Sequence, residues 1–329
     1  MCSSDLNEKD LPPQLVAITE KQGDQLLEEA KSRSDAGQHI LAKNILQSFP
    51  LNAVGRIKRL QVEDSLSEFN KGEAQAKELV ATLKLQIAQL PVAQSETLQQ
   101  VVAEIQDGLN ADTLSRLSDY VRLGKSEEIP LDNRIALGVA GWLLGSGSGE
   151  QNLSVTIALL TVRDLVVEYL STDDPARREA ILDELKTLEG AQPEYVDRML
   201  PLLKPVKQWP EGAEDTSVPG MFRISISGVD YLVQLPPEYN PLRPYPCILA
   251  LHESRSSPER QIDWWAGEYR EALGMRLGHA ARSGFIVVAP IWSREGQVLY
   301  EYTPLEHQRV LRALRDAMRR CSIDSDRVF

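Results

Sequence analysis

Two six-residue stretches constrain the fold of this chain more than anything else in it. CILALH (247–252) is apolar at every position but the last, and FIVVAP (285–290) is apolar throughout. Runs this short and uniform suit strands buried on both faces, as in a parallel sheet with helices on either side. Ahead of them, FRISIS (222–227) and VDYLVQLP (229–236) are joined by Ser227–Gly228 and alternate like two strands of a hairpin. Between the apolar runs, Ser257–Pro258 opens helical sequence that the pattern carries to Arg282, with Gly284 just past it. After them, Thr303, Pro304 and Glu306 form a capping-box signature. The helix they start has an apolar stripe (Val310, Leu311, Leu314, Ala317, Met318, Cys321) opposite Arg309, Arg312, Arg315, Arg319 and Arg320, read as a solvated face. RVF (327–329) begins another strand. The order is an antiparallel hairpin followed by parallel β-α-β-α-β.

The preceding two thirds follow a different pattern. From residue 13 to residue 204, apolar side chains recur every three or four positions, as at Leu98, Val101, Val102, Ile105 and Leu109. Asp174–Pro175 opens one helix and Gly190 is expected to close it. Residues 13–204 therefore read as an all-helical domain, a bundle or a loose solenoid; no tetratricopeptide-type repeat aligns with itself. Residues 205–220, PVKQWPEGAEDTSVPG, lack periodicity and read as a linker. Residues 1–12 read as a disordered tail. The first six, MCSSDL, back-translate to a string resembling a sequencing adapter and are expected to be a cloning or assembly remnant. The fold class is thus α + α/β.

Charge divides at the same boundary. Residues 220–329 hold 14 arginines, no lysine and 13 acids, whereas residues 1–219 hold 22 bases against 35 acids. A helical module that acidic repels phosphate backbones, so no nucleic-acid partner is expected. Three cysteines (Cys2, Cys247, Cys321) give neither a disulfide framework nor a CxxC metal pair, and Cys247 reads as a core residue. IALGVAGWLL (135–144) and VTIALLTV (155–162) are too short to cross a bilayer and read as core helices, so no membrane span is expected. GSGSGE (145–150) lacks the strand, lysine and hydroxyl of a phosphate loop. No spacing of His, Asp or Glu suggests a metal, and no cofactor is expected. The compartment is not legible.

From YLVQLPPEYNPLRPYPCILALHES through GFIVVAP to IDSDRVF, the last third resembles the opening half of an α/β-hydrolase domain of the serine esterase or prolyl-oligopeptidase-like peptidase type. The resemblance implies that residues 221–329 are an incomplete hydrolase domain, with RVF running toward the G-x-S-x-G turn that carries the nucleophile. Serine, acid and histidine would all lie beyond residue 329, so the chain as given is expected to be an inactive fragment of an enzyme cleaving an ester or peptide bond through an acyl-enzyme. The one catalytic element implied here is the loop after the third strand, with the backbone N–H of Glu253 or Ser254 as oxyanion donor. Relatives often have glycine after this histidine; Glu253 in its place narrows the backbone's approach. His252 reads as structural at the site edge, and His279 and His307 as ordinary helix residues. Ser254, Ser256 and Ser257 lack a nucleophile's context, Ser257 being better read as a helix cap. Trp264 and Trp265 are expected either to pack on the sheet or to line a substrate pocket. The helical module is a candidate for a protein partner. The competing readings are a non-catalytic scaffold with a degenerate hydrolase domain and a nucleotide-binding fold; the latter lacks its glycine-rich turns.

Overall fold

Proline and glycine punctuation cuts residues 13–204 into helices at places that the side chains explain. The computed structural model describes residues 13–226, 228–253, 256–294 and 296–329. Its helices are α1 (Pro13–Asp35), α2 (His39–Gln47), α3 (Arg56–Ile87), α4 (Val92–Gly108), α5 (Ser118–Leu123), α6 (Leu131–Leu144), α7 (Leu153–Ser171), α8 (Pro175–Leu185) and α9 (Pro193–Met199). Asn152 caps α7 by accepting from the N–H groups of Ser154 and Val155, and Asp174 caps α8 by accepting from that of Ala176. Every residue of α6 from Ile135 to Leu144 is buried, which is why that stretch is apolar all round. It is the axis around which α3, α4, α5, α7 and α9 pack. The α8 helix ends at Leu185 rather than Gly190; Lys186 and Thr187 turn it off through bonds to Leu182 O and Glu184 O.

The last third forms a five-stranded mixed sheet. Its strands are β1 (Met221–Ile226), β2 (Val229–Gln234), β3 (Tyr245–Leu249), β6 (Ile286–Pro290) and β7 (Ile323–Val328), in the order β1-β2-β6-β3-β7. β2 is antiparallel to β1 and β6, while β3 is parallel to β6 and β7. Side chains alternate between two covered faces. Cys247, Ile286 and Val288 meet Ala313 and Ala317 of α12 (Pro304–Arg320), and Ile248, Val287 and Ala289 meet Ile262 and Ala266 of α10 (Pro258–Ala266). Val287 and Val288 are both fully buried, one on each face. Each contributes about 1.5–3 kcal/mol, so neither face of the strand tolerates a polar side chain.

The helix expected to run from Ser257 to Arg282 is interrupted. α10 stops at Ala266, a hairpin of the two-residue strands β4 (Tyr269–Arg270) and β5 (Met275–Arg276) follows with a 3-10 turn (Glu271–Leu273) between them, and α-helix resumes only at α11 (His279–Arg282). Strand β7 is also longer than RVF. It begins at Ile323, and its pairing with β3 jumps from Tyr245↔Ile323 to Cys247↔Val328. The surplus residues form a bulge tied by the Asp324 carboxylate, which accepts from Asp326 N–H and Arg327 Nε.

The segment expected to be a linker has no regular element and is fastened to the sheet module. Trp209 stacks on Phe222 at 4.1 Å, Lys207 N–H donates to Arg319 O, and Arg320, 8% exposed, donates to Gln208 O. Arg319 reaches across to Asp173 and to the carbonyls of Leu170 and Ser171. Part of the α12 arginine stripe therefore joins the modules rather than facing water.

A second seam joins α1 and α2 to the sheet module. Glu238 accepts from the N–H groups of Ile40 and Leu41 at the α2 N-terminus, and Gln38 donates to Ala281 O. Asp112 accepts from Arg243 and pairs with His39. Burial works against ionisation of Asp112, but His39 and Arg243 outweigh it and hold the carboxyl below its usual range. A depressed folded pKa means that stability from Asp112 is present above the ordinary carboxylate pKa and lost as pH falls through the folded value. Asp112→Asn should therefore cost about 1.5–3 kcal/mol at neutral pH. In urea titrations the gap to wild type should close on acidification below the ordinary value of about 4. A gap that persists at low pH would contradict this.

Candidate functional site at the carboxyl edge of the sheet

The chain leaves β3 for β6 on one side and then crosses to β7 on the other, with α10 and α12 on opposite faces. Such a reversal opens a crevice at the carboxyl ends of the strands, the usual ligand position in open α/β sheets. At this edge Leu249 N–H donates to Phe329 O (2.8 Å) and Phe329 N–H to Cys247 O (2.9 Å), so β7 ends beside the end of β3. The loop after β3 then carries His252 and Glu253 into the crevice region.

His252 is 5% exposed. Its Nδ1 lies 2.9 Å from Glu253 O, an acceptor to which it donates. Nε2 is buried without a hydrogen-bond partner among the described residues. The imidazole stacks on Trp292 (5.3 Å, 26°), whose Nε1 donates to His252 O at 3.0 Å. Trp292 meets Tyr300 edge-on at 5.0 Å, and Tyr300 contacts Tyr302 and His307. The loops after β3 and β6 are thereby joined into one aromatic wall.

Glu306 holds that wall in shape. It is 1% exposed and accepts from Glu301 N–H, Thr303 N–H, the Thr303 hydroxyl and the Gln297 amide. Burial opposes its charge, but these donors prevail and bring its carboxyl down to about 2. Tyr302, between the two bonded N–H groups, has φ +58° and is 77% exposed. A left-handed tyrosine costs roughly 1–3 kcal/mol and persists because both neighbours are pinned. Sequence reasoning took the capping box as a helix start only, although Trp292, Tyr300 and Tyr302 in a polar loop were a legible signal.

Of the residues expected at the site, His252 and Glu253 are there; Ser254 lies outside the described residues. Trp264 and Trp265 are 79% and 37% exposed, so neither is a core residue. Ile262 and Ala266, one turn apart, occupy the sheet-facing side of α10 instead. Ser257 caps α10 through Arg260 N–H. His279 and His307 are exposed on their helices. Burial raises the Cys247 thiol to about 12 and pushes Cys321 well above its ordinary value, so neither is a poised nucleophile.

One Ser–His–Asp contact does occur, away from this edge. Ser34 Oγ is 3.5 Å from His39 Nδ1, and His39 Nε2 is 3.0 Å from Asp112. Both Ser34 and His39 border a cavity of about 980 Å³ between α1, α2 and α3. The serine contact is too long for proton transfer, Arg243 already shares Asp112, and Glu238 occupies the nearby helix N–H groups. Among the described residues no group of three His, Cys, Asp or Glu could hold a metal ion, and no helix is long and apolar enough to cross a membrane.

No protein family, curated protein or solved structure matches this chain. Function therefore rests on the geometry of the carboxyl edge.

Proposed function

We propose that residues 221–329 are the opening half of a serine-hydrolase domain that cleaves an ester or peptide bond through an acyl-enzyme. The observation that carries this reading is the parallel pairing of β7 with β3, which brings Phe329 next to Leu249. Acyl transfer needs the attacking hydroxyl and the oxyanion donors within one carbonyl group of each other. A serine on a sharp turn directly after β7 would stand at the edge where the His252–Glu253 loop presents its backbone. In this reading the N–H of Glu253 serves the developing oxyanion, the other candidate, Ser254, lying outside the described residues. The buried imidazole and Trp292 brace that loop, and the Tyr300–Tyr302 wall borders the substrate. The acid and the base histidine belong to sequence after that turn.

Residues 1–329 by themselves should then give no burst of p-nitrophenol from p-nitrophenyl acetate. A stoichiometric burst from this chain, whether from Ser34 or elsewhere, would contradict the assignment. A second reading, a partner-binding scaffold with an inactive hydrolase domain, is favoured by one feature. Glu253 carries an exposed acidic side chain where charge would develop on the substrate oxygen. The codons after Phe329 discriminate: Gly-x-Ser-x-Gly supports the enzyme, and a replaced serine supports the scaffold.

A further inference from the structure

Where α7 and α8 meet α12 and the loop before β3, the two modules enclose a cavity of about 690 Å³. Its walls carry Arg178, Lys204, Arg243, Arg315 and Arg319, and no carboxylate is among the described residues that line it. The chain as a whole has a formal charge of −12, so a lining with five cations and no acid runs against its composition, even though acids outside the lining pair with some of them. Three of them are fixed in place. Arg319 is held by Asp173, Arg243 by Asp112, and Arg178 by Thr172 O, the Tyr169 ring and Asp173 at 3.9 Å. Lys204 and Arg315 pair with no acid among the described residues. The same lining also carries the apolar side chains of Leu170, Leu203, Leu242 and Met318.

A sixth cation stands behind the wall. Arg116 is 7% exposed and donates to Leu202 O (3.2 Å) and Leu242 O (2.9 Å), with its guanidinium 5.2 Å from the Trp142 ring. It has carbonyls and a ring for company but no counter-ion among the described residues, and burial brings its pKa down to about 10. A buried charge without an opposite charge is costly, and an anion in the neighbouring cavity would offset that cost.

We propose that this junction cavity binds an amphipathic carboxylate, its head group on Lys204 and Arg315 and its hydrocarbon chain on the apolar side chains. The site is independent of the hydrolase chemistry, since it lies at the opposite end of β3 from His252. Because its walls come from both modules, its occupant favours their docked arrangement.

Calorimetric titration of the chain with decanoate tests the site, with decyltrimethylammonium as the probe of equal length and opposite charge. Decanoate should bind saturably at one per chain and the cationic probe should not. Lys204→Glu/Arg315→Glu should weaken decanoate by about tenfold or more, the loss of a charge-assisted hydrogen bond. Arg312→Glu, on the same helix but outside the cavity wall, should leave binding unchanged. Raising salt from about 0.05 to about 0.5 M should weaken binding in the unmodified chain, which gives a readout even if the double variant fails to fold. Absence of saturable decanoate binding, equal binding of the two probes, or binding indifferent to both salt and the double variant would overturn the proposal.

Discussion

Gly278→Ala is expected to destabilise the sheet module by about 3 kcal/mol or more, among the larger losses a single methyl group can cause. A Cβ at residue 278 would lie 2.2 Å from Gly267 N, 2.3 Å from Ala266 C and 2.6 Å from Ala266 O. These are backbone atoms at the end of α10, and Gly278 N–H itself donates to Ala266 O at 2.7 Å, so neither strand of chain can withdraw without losing the other. Two other glycines calibrate the effect. Gly274 has φ +64° but open space around it, so alanine there should cost only about 1 kcal/mol of backbone strain. Gly72, inside α3 with nothing within 4 Å, should gain roughly 0.5–1 kcal/mol as alanine. Urea denaturation followed by circular dichroism ranks the three variants. Gly278→Ala unfolding at the wild-type midpoint would show that the α10–α11 crossing is not as tight as described.

The second large effect is expected at Arg276. This side chain, 6% exposed, donates to Gln234 Oε1, Asp263 Oδ1 and Gly267 O, joining β2, α10 and the β4–β5 hairpin at one point. Arg276→Met keeps the apolar stem and leaves three acceptors facing a group that cannot donate. Asp263 can turn to water because it is partly exposed, whereas Gln234 is buried. The expected cost is about 2–4 kcal/mol, dominated by stranded acceptors rather than by lost charge attraction. The double variant Gln234→Leu/Arg276→Met should recover part of it. If the two losses simply add, the buried bond between them is not the source of the stability.

Local chemistry was legible in the sequence and long-range chemistry was not. The Thr303–Pro304–Glu306 start of α12, the Asp174 cap and the double burial of β3 and β6 follow from neighbours within a few positions. The β4–β5 hairpin was hidden because two-residue strands carry no periodicity, and Gly267 and Gly278 make sense only once their approach is seen. The α12 arginines illustrate the same limit. Their spacing marks one helix face, but that Arg319 and Arg320 meet Asp173 and Gln208 depends on how two modules dock. At the candidate site, His252 was placed by its position after an apolar run. The lack of a partner for its Nε2 among the described residues and its stack on Trp292, 40 residues later in sequence, are tertiary facts. Of the two roles expected for Trp264 and Trp265, packing on the sheet did not hold, because the turn of α10 gave the sheet-facing positions to Ile262 and Ala266.

All functional claims made for the sheet module depend on β7 delivering a reactive hydroxyl to the end of β3. Fluorophosphonate labelling of a chain extended past residue 329 along its reading frame, with the modified residue located by peptide mass spectrometry, addresses that delivery. One adduct is expected, on a serine in the turn right after β7, and none on residues 1–329. An unlabelled extended chain, or an adduct on any serine within the first 329 residues, would contradict it.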